Sequence, residues 1–177
     1  MSESAPADAD IPEGFLARRF GEGFIAVNGP LYARRKDGGF ELGFRVEQRH
    51  CNPMGICHGG MMATFCDMLL PLSAHVLSHV GKRFLPTINL QIDYLAASPL
   101  GAWVQGEAQV LRATKSLVFM QGLVHADDAL VARVSGIFKP VSASRSLNAS
   151  RRCSPISPAI GVSGPTSRPS PSARRSL

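Results

Sequence analysis

Residues 52–67, NPMGICHGGMMATFCD, decide how this chain is read. A turn-forming stretch with Pro53 and Gly55 leads through His58-Gly59-Gly60 into a long apolar run, and Asp67 stands in the middle of that run. Two adjacent glycines at the start of a helix leave its first N–H groups clear of side chains, at the end where the helix dipole favours negative charge. Such a place can hold a developing oxyanion. A single carboxylate among Met, Phe, Cys and Leu is costly to bury and calls for a reason. An oxyanion donor and a semi-buried carboxylate on one helix point to carbonyl chemistry with water.

The helix itself is predicted over residues 59–80. Its apolar residues Met61, Met62, Phe65, Met68, Leu69, Leu70, Leu72 and Val76 cover most of the circumference, so it should be buried nearly all round, with a sheet wrapped about it. Pro71 lacks the N–H that would bond the carbonyl of Asp67 and should bend the helix there. Two strands are predicted ahead of the helix, at residues 24–34 and 39–47. Lys36-Asp37-Gly38-Gly39 between them is a hairpin-turn signal. Phe40, Leu42, Phe44 and Val46 alternate, which buries one face of the second strand. Four more strands are predicted at residues 86–97, 102–113, 117–125 and 129–139, joined by short polar links. Residues 13–20 read as a short amphipathic helix. Two strands, a long buried helix and four strands make an α+β layout with an antiparallel sheet, an order that by itself does not single out one fold.

The chain has 177 residues and a formal charge of +6. Residues 1–141 hold 13 Lys/Arg and 13 Asp/Glu, so the excess comes from six arginines beyond them. The basic balance is therefore no evidence for a nucleic-acid-binding domain, which needs a basic face on the fold itself. Of the last 36 residues 11 are Ser, 5 Pro and 6 Arg, too little apolar content to offset ordering entropy. The expected organisation is a disordered segment at 1–12, one domain at 13–141 and a disordered tail at 142–177. The N-terminus has no basic, then apolar, signal-peptide pattern, and the apolar run at 61–77 is broken by Asp67, Pro71 and His75, a poor membrane span. Cys51, Cys57, Cys66 and Cys153 form no C-x-x-C pair, which fits a reducing, cytoplasmic setting. His50-Cys51 with Cys57-His58 matches usual zinc-ligand spacing poorly, and no metal is expected.

The pattern N-x-x-G-x-x-H-G-G-x-x-x-x-x-x-D, followed by Thr87-Ile88-Asn89-Leu90-Gln91-Ile92-Asp93-Tyr94 and Ser98-Pro99-Leu100-Gly101, closely resembles the hotdog-fold acyl-CoA thioesterases of the phenylacetic-acid-degradation (PaaI-like) type. The resemblance spans residues 13–141. It implies a curved antiparallel sheet around one long helix, hydrolysis of acyl-CoA without a cofactor, and sites at a homodimer interface, with dimers often pairing into tetramers. It puts Asp67 on the family's carboxylate, as general base or nucleophile, and Gly59 on its oxyanion N–H. Asn52 and His58 fall on residues that bind or orient the thioester carbonyl, and Thr87 on a hydroxyl that positions water. Each has a plainer reading: a capped carboxylate, a loop cap, a turn residue, a strand threonine. Lys115-Ser116, with Arg83, Lys82 and Arg112, are the candidates for the nucleotide end of coenzyme A. A dehydratase or hydratase acting on acyl thioesters, or a non-catalytic acyl-CoA-binding protein, is the competing function.

Spacing adds one constraint of its own. Gly59 and Asp67 are eight residues apart, about 12 Å along a helix. An oxyanion donor and a water-activating group must each lie within about 3 Å of the reacting atoms. If both serve one carbonyl, they come from two copies of the helix packed antiparallel in a dimer.

Overall fold

The computed structural model describes residues 11–18, 20, 22–81 and 83–142. Most of the 1–12 segment, Lys82 and nearly all of the 142–177 tail lie outside the described residues.

The element order is β1 (Leu16–Arg18), α1 (Phe24–Asn28), β2 (Leu31–Lys36), β3 (Gly39–Arg45), α2 (Gly59–Leu77), β4 (Thr87–Tyr94), β5 (Trp103–Ala113), β6 (Val118–Ala126) and β7 (Ala129–Phe138). A 3-10 turn, Gln48–His50, lies between β3 and α2. Among the described residues, seven strands form one antiparallel sheet in the order β1-β2-β3-β5-β6-β7-β4. The sheet curves around α2. This is the α+β hotdog architecture that the resemblance implies.

The register follows from side-chain alternation. Phe40, Leu42, Phe44 and Val46 are all buried toward α2, as the period-two pattern requires. The β2–β3 turn pairs Lys36 with Gly39, and Asp37 (φ 50°) and Gly38 (φ 76°) take the left-handed conformations of a tight hairpin. On the helix, Phe65, Leu69 and Leu70 are fully buried. Gly106 of β5 lets the helix come close: a Cβ there would sit 2.5 Å from the Leu69 side chain.

Two expectations near the N-terminus are corrected. The described residues of 13–20 form no helix; Leu16–Arg18 is a strand whose residues pair with Ala33, Tyr32 and Leu31. Phe15 packs edge-on against Trp103 at 5.1 Å. The expected strand at 24–34 is divided, with Phe24–Asn28 a short helix and only Leu31 onward in the sheet. No local signal of that length outweighs the pairing the rest of the sheet offers.

A third correction concerns α2. Within the single chain it is not buried all round: Gly60 and His75 are exposed, and Thr64, Asp67, Met68 and Pro71 only half-buried. These residues recur at helical spacing and form one open face. By length and composition α2 could cross a membrane, with a mean hydropathy of 1.3. The sheet packed on its other face accounts for that apolarity.

Candidate active site

The entry to α2 is built by the loop that precedes it. His58 is the N-cap: its Nδ1 accepts the Gly60 N–H at 2.9 Å, and its carbonyl accepts from Met61 and Met62. His58 N–H bonds the His50 carbonyl at 2.7 Å. Among the described residues, Gly59 N–H is therefore the donor at this helix end left without a protein partner, where the dipole is positive. An acceptor Nδ1 assigns the ring proton of neutral His58 to Nε2, a second donor.

Two turns on, Asp67 occupies the open face of α2. Thr87, the first residue of β4, donates its hydroxyl to Asp67 Oδ1 at 2.6 Å. A bond of that length to a carboxylate is charge-assisted and fixes the carboxylate's orientation. Pro71 leaves the Asp67 carbonyl without its helical N–H partner. The structure thus joins two residues singled out from sequence, Asp67 and Thr87. It keeps Gly59 away from them, two turns along the same helix.

Asn52 serves its own loop. Its Oδ1 accepts from Met54 N–H at 2.9 Å and from Ile56 N–H at 3.4 Å, the geometry of a turn cap. Its amide nitrogen has no partner among the described residues and is the group left for a ligand. Tyr94 was not singled out as a site residue. Its hydroxyl donates to the Gly59 carbonyl at 3.0 Å, and its ring lies 3.7 Å from where a Gly59 Cβ would stand. The sequence carried no sign of this contact, because 35 residues separate the two. β4 runs antiparallel to α2, with Thr87 at one end bonded to Asp67 and Tyr94 at the other bonded to Gly59.

Of the cations considered, Arg83 and Lys115 come together: Arg83 Nη1 donates to the Lys115 carbonyl at 3.3 Å, while Arg83 Nε holds the Val80 carbonyl at 2.9 Å. Ser116 is exposed in the same β5–β6 turn, which the Thr114 hydroxyl caps through the Ser116 and Leu117 N–H groups. Val118 pairs with Phe138, and Phe138 with Thr87, so this turn lies at the Thr87 end of the sheet, about 10 Å across two strands. Arg112 is exposed on β5. Among the described residues no group of three or more His, Cys, Asp or Glu is placed to hold a metal ion.

A family model described as the thioesterase superfamily matches residues 54–132, the stretch from the α2 entry loop into β7. It has the hotdog fold, and its residues 54–132 resemble the thioesterase superfamily. A presumed esterase of Pseudomonas aeruginosa is 28% identical over 131 residues, 73% of this chain and 96% of that one. Among solved structures, zebrafish thioesterase superfamily member 2 has a TM-score of 0.62 at 25% identity, over 69% of this chain and 89% of that chain. A hypothetical thioesterase of Streptococcus pneumoniae, solved with coenzyme A, has the same fold at TM-score 0.56 and 18% identity, over 63% of this chain and 89% of that one. The fold and these similarities support acyl-thioester hydrolysis in general.

Among the described residues, two unpartnered surfaces lie beside this site. β4 is an edge strand, and Ile88, Tyr94 and the following Leu95 are each more than half exposed. The open face of α2, with Asp67 on it, lies beside that edge.

Proposed function

We propose that this protein hydrolyses acyl-CoA thioesters as a cytoplasmic homodimer of the PaaI-like type. The observation that carries the reading is the Asp67–Thr87 hydrogen bond on the open face of α2, two turns from the free Gly59 N–H. About 12 Å along the helix is too far for both to reach one carbonyl. A second copy packed antiparallel on that face brings Gly59 of one chain to Asp67 of the other. The unpaired β4 edge and its exposed apolar residues favour the same packing.

In this site the thioester carbonyl oxygen takes the Gly59 N–H, with His58 Nε2–H and the Asn52 amide as further donors. Thr87 holds one carboxylate oxygen of Asp67, and the other receives a proton from water as that water attacks the carbonyl carbon. Negative charge passes to the carbonyl oxygen, where the helix N-terminus stabilises it. Collapse breaks the C–S bond, and the Asp67 proton goes to the departing thiolate. Free acid and CoA leave, and no cofactor is consumed. Lys115, Ser116 and Arg83 serve the phosphates of the nucleotide end. The coenzyme A found with the streptococcal protein supports the choice of thiol carrier.

Mixing two crippled proteins tests this reading. Asp67→Asn and the double variant Asn52→Ala/His58→Ala should each be inactive in thiol release from a panel of acyl-CoAs. Co-expressed, they form hybrids in which one site holds both defects and the other none. With random pairing about half the dimers are hybrid, and activity should return to roughly a quarter of wild type. Purified hybrids as inactive as their parents would refute the shared site. Wild type inactive on every acyl-CoA would refute the substrate class.

A further inference from the structure

Two cysteines face each other in the loop that leads into α2, and the proposed reaction uses neither. Cys51 and Cys57 are partners in an antiparallel bridge. On one side of them Asn52 N–H bonds the Ile56 carbonyl at 2.9 Å, and on the other His58 N–H bonds the His50 carbonyl at 2.7 Å. The pairs 52/56 and 50/58 are therefore the hydrogen-bonded ones. Cys51 and Cys57 form the non-hydrogen-bonded pair between them, where facing Cα atoms lie about 4.5 Å apart and side chains are closest. A disulfide spans Cα separations of roughly 4.4–6.8 Å. Both cysteines are free and only partly buried, so a small reagent has access. The Cys51 thiol leans on the Glu47 carbonyl at 3.4 Å and the Cys57 thiol on that of His58 at 3.8 Å. These are weak contacts, and rotation of each side chain about its Cα–Cβ bond swings the sulfurs toward each other.

We propose that Cys51 and Cys57 are an oxidation site that closes to an intrachain disulfide, with a small-molecule disulfide such as oxidised glutathione as the oxidant. The Cys51 thiolate attacks one sulfur of the oxidant and releases one small thiolate, leaving a mixed disulfide. Cys57 then gives its proton to solvent and attacks the Cys51 sulfur, releasing the second thiolate. Two protein thiols lose two electrons, and the oxidant ends as two thiols. Burial, with the neighbouring Cys51, pushes the Cys57 thiol up to about 11, so it is the resolving partner and its step quickens as pH rises. Cys66, fully buried in α2 and pushed up to about 12, stays out of the exchange.

The bond closes the seven-residue loop that carries Asn52 and ends at the residue before the His58 cap. It ties the carbonyl-binding loop covalently to the start of the helix. The pair stands on the loop's register and holds whatever reaction the protein performs.

The test uses the full-length chain with Cys153→Ser, which removes a competing thiol. After exposure to oxidised glutathione, alkylation and peptide mapping should find residues 51 and 57 linked and two fewer alkylatable thiols. Loop-closure entropy should raise Tm by several degrees, reversed by dithiothreitol. The closing rate should climb from roughly pH 7 to 9. Cys57→Ser, which keeps the small side chain, should stop at a glutathione adduct on Cys51. A stable adduct on Cys51 in the parent at the higher pH, with no 51–57 link, would overturn the proposal, and so would an intermolecular disulfide as the main product. None of these readouts depends on hydrolysis, so the proposed activity can fail without touching this result.

Discussion

In the proposed mechanism Thr87 reaches the chemistry through Asp67, and that coupling has a measurable size. Thr87→Val removes one hydroxyl and keeps the branched shape that suits β4. A hydrogen bond to a charged group contributes about 1.5–3 kcal/mol. Thr87 is exposed and Asp67 half-buried, so water replaces part of the lost bond and the lower end applies. About 1.5 kcal/mol corresponds to roughly tenfold in kcat/KM. Asp67→Asn keeps the shape but cannot accept a proton, and should cost at least about 10²-fold. If the two acted independently, the double variant would fall by the product, about 10³-fold. Because the hydroxyl serves only to hold the carboxylate, the double variant should instead match Asp67→Asn within a factor of about three. The assay is thiol release from an acyl-CoA substrate under single-turnover conditions, with circular dichroism confirming that each variant is folded. Full additivity would refute the positioning role and make Thr87 an independent contact to substrate or water.

Three further outcomes are expected. His50 is buried between the Asn28 carbonyl and the Glu47 N–H, and burial, then the Arg49 charge, lowers its pKa below the usual 6.5. The unfolded state thus binds the proton first as pH falls below 6.5, so Tm should drop on acidification and the drop should shrink in His50→Gln; an unchanged slope would place the effect elsewhere. Gly106→Ala puts a Cβ 2.5 Å from the Leu69 side chain and 3.3 Å from the Leu123 carbonyl, and overpacking of this kind should cost about 1–3 kcal/mol in urea unfolding. Removing the two cations together (Arg83→Gln with Lys115→Gln) should raise KM for acyl-CoA severalfold while sparing a short acyl thioester that lacks the nucleotide; equal effects on both substrates would remove these residues from phosphate binding.

The sequence alone determined the elements whose signals are local and long. The alternation of β3, the Asp-Gly turn, the long apolar helix (expected to residue 80, ending at Leu77) and the four strands after it all carry their own length, periodicity or turn chemistry. Asp67, Gly59 and Thr87 became candidates because a motif resemblance placed them, and Asp67 also because a carboxylate in an apolar run is expensive. Only the tertiary structure decided the rest. Three residues at Leu16–Arg18 are a strand because β2 offers a partner, which no window of that length can foretell. The open face of α2 appeared only when the sheet covered the other one, since apolar residues all round a helix look alike before something packs on them. Tyr94 meets Gly59, and Cys51 meets Cys57, through pairings set by register and by where the chain returns. Contacts between residues distant in sequence depend on how every intervening element packs, and their energies exist only once that packing is in place.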